Sequence, residues 1–403
     1  MTLSPETVSP HPLAFAWRSM AARIARRATK GSIQITFAGL PALSFQGEAL
    51  GPDARVDIQS PRMLWRLWLG GVLGFSEAYM AGECDTPDLK RLMQWALANE
   101  GPLVSAMKGG LTNHIATLIH RLRPNTRIGS RRNIRRHYDL SNEFYRAWLD
   151  PTMTYSSALF EGDFDRSLEH AQQAKYERIA EMAGIEPHHH VLEIGCGWGG
   201  FAIWAAQAIG CRITAITISE AQYQEAGNRV AAAGLDDRIV VRLIDYRDID
   251  GRYDRIVSIE MMEAVGEQYW STYGAALRER LNAAGRAVLQ VITIDKSHFE
   301  TYRRRADFIQ AHVFPGGMLP SPERIEQELS DAGLRAGEVH RFGVDYAETL
   351  RRWRSAFDRA WPEIKSSSFD ERLRRMWDYY LVYCEVGFEI GRIDVGLYAF
   401  DMP

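Results

Sequence analysis

The stretch "VLEIGCGWGG", residues 191–200, sets Gly195, Gly197 and Gly200 in a G-x-G-x-x-G spacing. That spacing lets backbone approach a ligand between a strand and the start of a helix. A dinucleotide site adds a carboxylate about 20 residues later, at the tip of the second strand. Here the second strand, "CRITAITI" (211–218), runs out in Thr217, Ile218 and Ser219 with no acid at its tip. Glu193 instead lies inside the first strand, just before Gly195. A carboxylate there repels a pyrophosphate and suits a ligand with a cationic amino-acid end. The loop therefore reads as a site for S-adenosylmethionine, with Gly195 and Gly197 against the methionine end and Glu193 setting the charge. A purely structural glycine turn stays open as the alternative, because short glycine patterns recur in many α/β proteins.

The elements around this loop follow from apolar patterning. Strands are predicted at "HVLEIG", "CRITAITI", "RIVVRLI", "YDRIVSI" and "RAVLQVITI", and helices at "GFAIWAAQAI", "SEAQYQEAGNRVAAAG" and "QYWSTYGAALRERLNA". Alternation of this kind predicts an α/β fold, a parallel sheet with helices on both faces. The N-terminal part has a different texture. "SIQITF" puts Ile33, Ile35 and Phe37 on one strand face, and "PRMLWRLWLG", "GFSEAYMAG" and "DTPDLKRLMQWALANEG" read as helices. Residues 101–138 hold no acid but eight basic residues: Lys108, Arg121, Arg123, Arg127, Arg131, Arg132, Arg135 and Arg136. We place the first domain at 1–120 and the second at 121–403, with 121–136 as a basic linker. A chain of 403 residues has room for two or three domains at roughly 150 each.

The formal net charge of −3 implies no global pull toward nucleic acid. Four scattered cysteines without a C-x-x-C pair favour a reducing cytoplasm. No signal peptide is evident, and "MLWRLWLGGVLGFSEAYM" is too short and too interrupted by Arg66 and Glu77 to span a bilayer.

Several motifs come in an order that resembles the cyclopropane-fatty-acyl-phospholipid synthases and their mycolic acid relatives. They are "HYDLSNEFYRAWLDPTMTYSSALF", "VLEIGCGWGGFA", "ITAITISEAQ", "DYRD", "YDRIVSIEMMEAVG", "HVFPGGMLPS", "FGVDYAETLRRW" and "RLRRMWDYYLVYCEVGF". The resemblance runs from about residue 30 to the C-terminus. It implies a Rossmann-like, seven-stranded class I methyltransferase domain with a smaller α+β N-terminal domain, using S-adenosylmethionine. The activity implied is transfer of a methyl or methylene group to the double bond of an unsaturated phospholipid acyl chain. Methyl transfer to an alkene leaves a carbocation, which aromatic faces steady by about 0.5–2 kcal/mol each. Water must be kept from it.

By the same resemblance, a bicarbonate ion serves as the base for ring closure, held by a cysteine, a glutamate, a histidine, a backbone amide and a tyrosine. The glutamate is Glu263, the tyrosine Tyr346 and the backbone position Ile292. The cysteine position holds Ser157 and the histidine position Gln290, two departures that replace titratable groups by neutral ones. Ser and Gln still donate to an anion. On this reading Glu263 is the one carboxylate near the cation, and an uncyclised methylated product competes with the cyclopropane. The cofactor residues implied are Tyr155, Ser156, Glu193, Gly195, Cys196, Gly197, Gly199, Thr217, Ile218, Ser219, Gln222, Tyr246 and Arg247; Tyr138 is assigned to substrate.

The expected partner is a phospholipid membrane with unsaturated acyl chains, met from its cytoplasmic side, with no nucleic acid; a homodimer is the open oligomeric alternative. The arginines of 121–136 and Arg303–Arg305 are either solvated surface or a headgroup site. The run His188–His190 lacks an acid or cysteine to complete a metal set, so no metal is expected. Each site residue also has a packing reading: Glu263 as a helix-start acid, Tyr346 and Gln290 as core, Cys196 as filler. Rival functions are a small-molecule N-methyltransferase and a catalytically weak lipid-binding relative; a dehydrogenase fits least.

Overall fold

The structure, a computed structural model, describes residues 12–37, 39–106, 141–366 and 369–403. Its contacts divide the chain into two compact units, Met1–Leu118 with Lys365–Val386, and Ile119–Ile364 with Gly387–Pro403. The return of 365–386 to the first unit leaves no mark in composition, and the sequence boundary at 120 does not contain it. The basic linker 121–136 and Tyr138 lie outside the described residues.

In the first unit a four-stranded sheet has the order β2-β1-β3-β4, its last strand being the short Cys84–Asp85. Strands β1 (Lys30–Phe37) and β3 (Ala49–Ile58) are parallel, and β2 (Leu40–Gln46) is antiparallel to β1. Period-two alternation buries Ile33 and Ile35 as expected. The two helices expected over 61–82 form one run, Arg62–Met80, broken at Gly71, whose φ of 56° and ψ of −135° only glycine adopts readily. The helix Leu89–Ala98 begins at Asp88, whose carboxylate accepts the Arg91 N–H. Buried Asn99 accepts the Thr29 and Lys30 N–H groups at 2.8 and 2.9 Å and so ties that helix to β1.

The second unit carries a seven-stranded sheet ordered β10-β11-β9-β8-β5-β6-β7. Strands β5 (His190–Ile194), β6 (Arg212–Thr217), β7 (Ile239–Leu243), β8 (Tyr253–Ile259) and β9 (Leu281–Ile294) pair in parallel. Strand β11 (Ile393–Asp401) lies antiparallel between β9 and β10 (Arg335–Arg341). The mixed α/β class and seven strands match the expectation. One local difference is that Leu281–Ala283, expected at a helix end, open the long strand β9; Leu281 is buried and pairs with Tyr253. Strand order reverses at β5, which is flanked by β6 and β8. The crevice beyond the carboxyl ends of β5 and β8 is where open α/β sheets bind ligands.

Candidate active site

The glycine loop leaves β5 at that crevice. The amides of Gly195 and Cys196 both donate to the Ile216 carbonyl of β6 at 3.0 Å, and the Gly199 amide donates to the Cys196 carbonyl at 2.8 Å. These bonds fold the loop tightly before the helix Gly200–Ala208. Gly195 has φ 82°, and a Cβ there would lie 2.4 Å from the Met261 side chain, so the turn needs glycine. Gly197, at φ 53°, faces open space in which a Cβ would meet nothing within 4 Å. Gly199, at φ 83°, stands at the N-terminus of the helix. Cys196 is buried and inert, its thiol pushed well up by burial.

Glu193, 2% exposed, accepts the Ala202 amide and keeps Oε2 without a partner. Burial raises its carboxyl to about 8, against a downward pull from the Lys175 ammonium. An orphaned acidic oxygen beside an open glycine turn fits a cationic amino-acid ligand, and so fits S-adenosylmethionine. At the end of β6 the Thr217 hydroxyl donates to Gln222 Oε1 at 2.7 Å and accepts the Ser219 N–H, while Ser219 caps the Gln222 N–H. Half-buried Ile218 sits between them. Tyr246 and Arg247 are more committed to structure than their motif suggested. Tyr246 packs edge-on against Tyr273 in the core. Arg247 is clamped by Asp245, at 2.8 and 2.7 Å, and lies over the Tyr246 and Tyr269 rings.

The segment Tyr155–Phe160 is pinned by the helix Gly343–Ile364. Thr349 Oγ1 accepts the Ala158 N–H, and Asp345 accepts the Phe160 and Glu161 amides. Arg229 fastens its other side, donating to the carbonyls of Thr152 and Trp198 at 2.8 and 3.0 Å. Ser156 Oγ accepts from the fully buried Lys175 ammonium at 2.7 Å. Burial pulls Lys175 down to about 7, while the charges of Glu260, Asp150 and Glu193 favour its protonated form. Aromatic rings close around this segment: Tyr155 contacts Tyr145, Trp148 and Trp353 at centroid distances of 5.4, 5.7 and 5.4 Å. Trp353 reaches on to Tyr346, which stacks on Phe388 at 4.5 Å.

Ser157, Gln290 and Tyr346 do converge, and they converge on a residue the sequence did not single out. The Ser157 N–H and the Gln290 amide donate to Glu260 Oε1 at 2.9 and 2.8 Å, and the Tyr346 hydroxyl donates to Oε2 at 2.8 Å. Glu260 follows β8 directly, in a left-handed conformation at φ 53°. The Ser157 hydroxyl is not part of the cradle; it donates to the Ala158 carbonyl at 3.0 Å. The Ile292 amide donates to Glu263 Oε1, whose Oε2 has no partner. Burial, and next the charge of Glu260, raise Glu263 to about 8.

The expectation that Glu263 is the one carboxylate here is therefore corrected: Glu260 stands beside it. A bicarbonate ion does not fit, because Gln290 and Tyr346 already serve Glu260 and the Ile292 amide serves Glu263, and the Glu260 charge repels a further anion. No sequence signal marked Glu260, Lys175 or Arg229. Their partners lie far away in sequence, and isolated charged residues look like surface.

The histidine run does acquire an acid: His188 Nδ1 lies 3.3 Å from Glu186, and His189 Nδ1 accepts the Glu186 N–H. Arg303 and Arg304 are held by Glu267 and Glu300. Among the described residues no helix is long and apolar enough to cross a membrane.

The profile of the mycolic acid cyclopropane synthetase family matches residues 125–397. A tuberculostearic acid methyltransferase of Mycobacterium tuberculosis is 38% identical over 95% of this chain and 91% of its own length. The cyclopropane-fatty-acyl-phospholipid synthase of Escherichia coli K12 is 35% identical over 86% of this chain and 88% of its own. The crystal structure of the mycolic acid cyclopropane synthase CmaA1, complexed with SAH and CTAB, superposes with a TM-score of 0.61 at 30% identity, covering 67% of this chain and 98% of that one. With a matching family profile, relatives aligned over most of their length and a matching fold, the chain belongs to the mycolic acid cyclopropane synthetase family and is an S-adenosylmethionine-dependent lipid methyltransferase.

Proposed function

We propose that this enzyme methylates the double bond of an unsaturated phospholipid acyl chain and that its product is an uncyclised methylated chain. The observation that carries the reading is the polar centre itself. Where ring closure calls on a thiol and an imidazole around an ion, the Ser157 hydroxyl is turned to the Ala158 carbonyl, and the Gln290 amide, with the Ser157 backbone N–H, is engaged on the Glu260 carboxylate. The name of the Mycobacterium tuberculosis relative, a tuberculostearic acid methyltransferase, points the same way. Cyclopropane formation, as in the name of the Escherichia coli relative, is the second reading.

Gly195, Cys196, Gly197 and Gly199 hold the methionine end of the cofactor by backbone, with Glu193 opposite its ammonium group. Thr217, Ile218, Ser219 and Gln222 line the ribose and adenine side, and Tyr155 and Ser156 close over the reacting end. S-adenosylmethionine, when bound, supplies an electrophilic methyl group, whose transfer to one alkene carbon leaves a cation on its neighbour. Tyr155, Trp148, Trp353 and Tyr346 offer aromatic faces to that charge and exclude water from it. The acyl chain comes from a membrane met at its interface. The exposed apolar residues Trp65, Trp68 and Leu69, at helical spacing, support such a contact.

The test is incubation of the purified protein with methyl-labelled S-adenosylmethionine and vesicles of unsaturated phospholipid. Double-bond-specific derivatisation before mass spectrometry should find labelled chains that retain unsaturation. Labelled chains without a double bond, together with a cyclopropane proton signal in NMR, would establish the second reading instead. Label confined to added small amines would overturn both.

A further inference from the structure

Three donors from distant parts of the chain end on one carboxylate. Ser157, Gln290 and Tyr346 are buried, and each spends a donor on Glu260. A carboxylate accepts about four hydrogen bonds. Two donors fall on Oε1 and one on Oε2, so one acceptor position remains, on Oε2. Glu260 as a whole residue is half-buried, while burial of its carboxyl raises its proton affinity. Its backbone is left-handed, a conformation that disfavours side chains, persists only where the surrounding structure enforces it and clusters at active sites.

We propose that Glu260 is the proton acceptor of the reaction, a carboxylate of the chain itself standing where the family resemblance puts a bicarbonate ion. The inference rests on the reading above, methyl transfer to an alkene. Once the methyl carbon has bonded to the chain and a cation stands on the neighbouring carbon, a C–H bond of the new methyl group breaks. Its proton goes to Glu260 Oε2. Its electron pair becomes the second bond of a methylene group, after hydride has moved from the methylated carbon to the cation, or the closing bond of a ring when no hydride moves. Either way one proton leaves the chain and no further reactant is needed. Burial strengthens Glu260 as a base, while its three donors and the Lys175 ammonium keep the ionised form accessible. An internal base makes activity independent of dissolved carbon dioxide.

The experiment removes and restores the carboxylate. Wild-type enzyme in buffer stripped of carbon dioxide should keep its full rate, and added bicarbonate should leave that rate unchanged. Glu260→Gly suits the left-handed backbone and leaves the three donors as an empty anion cradle. Its rate should fall about 10²–10⁴-fold, the usual worth of a positioned base. Bicarbonate or formate should restore part of it. A wild-type rate that collapses without bicarbonate overturns the proposal, and so does a well-folded Glu260→Gly protein, checked by circular dichroism, that keeps the wild-type rate in stripped buffer. The wild-type arm decides alone if the variant does not fold. If the wild-type protein methylates no lipid, the substrate reading fails and binding decides the Glu260 claim. NMR with ¹³C-labelled bicarbonate should then detect saturable binding to Glu260→Gly and none to wild type; binding to wild type that Tyr346→Phe abolishes would overturn it.

Discussion

The helix Arg62–Met80 of the first unit and the helix Gly343–Ile364 of the second both repeat large apolar residues at helical spacing, and they treat them oppositely. On Gly343–Ile364, Tyr346, Leu350, Trp353, Phe357 and Trp361 are all buried. On Arg62–Met80, Trp65, Trp68, Leu69 and Val72 are 36% to 54% exposed, with Trp65 and Trp68 edge to face at 5.6 Å. Up to the break at Gly71 the pattern is the same i, i+3, i+4 stripe in kind. Periodicity says which residues share a face. What covers that face is decided by the rest of the chain, here the aromatic segment 144–155 and the end of the sheet.

Four variants break or sharpen this contrast. The largest effect on stability is expected from Trp353→Ala, because Trp353 is fully buried against Trp148, Tyr155 and Tyr346. Chemical denaturation should record a loss of about 3–5 kcal/mol; a loss below about 1 kcal/mol would mean that the cluster is loosely packed. Gly197→Val should next reduce S-adenosylmethionine affinity by about 10²-fold or more in calorimetry, about 2.7 kcal/mol. Its stability cost is smaller, about 1–2 kcal/mol for the left-handed backbone, since the space around it is open. Undiminished affinity in a folded variant would remove the loop from the cofactor site.

Glu263→Gln should cost most of the activity and change the pH profile of stability. The folded carboxyl titrates at about 8 and the unfolded one at 4.5, so the folded state holds its proton more tightly. That preference contributes stability below about pH 4.5 and is lost as pH rises through 8. In the glutamine variant this decline should flatten, leaving the share of Glu193, which is raised for the same reason. An unchanged slope of unfolding free energy against pH would place the decline elsewhere. The smallest stability effect belongs to the exposed stripe. Trp65→Ser with Trp68→Ser should stay within about 0.5 kcal/mol of wild type while lowering partition onto phospholipid vesicles several-fold in sedimentation. Equal vesicle binding by both proteins would leave the stripe without a membrane role.

The five parallel strands of the second unit, the helices that follow β5 and β6 and the glycine turn were legible because each is a local pattern. Alternation, apolar runs and glycine spacing are consequences of neighbouring residues. Gly195 could be singled out from its spacing alone, although the reason it must be glycine, the Met261 side chain, lies 66 positions on. Ser157, Gln290 and Tyr346 were found through family resemblance, and their meeting on one carboxylate was beyond any local pattern. The Ser157–Glu260 bond spans 103 positions and the Tyr346–Glu260 bond spans 86.

The sequence by itself determined the fold class and the glycine turn, because composition and short-range spacing are written directly in it, and its family resemblance marked Ser157 and Gln290 as departures from a thiol and an imidazole. Tertiary structure alone decided that Glu260 receives three donors, that Lys175 is buried and pulled down to about 7 rather than solvated, and that burial raises Glu193 and Glu263 to about 8. Proton affinity depends on desolvation and on charges a few ångströms away. Those neighbours exist only once segments a hundred residues apart have folded together.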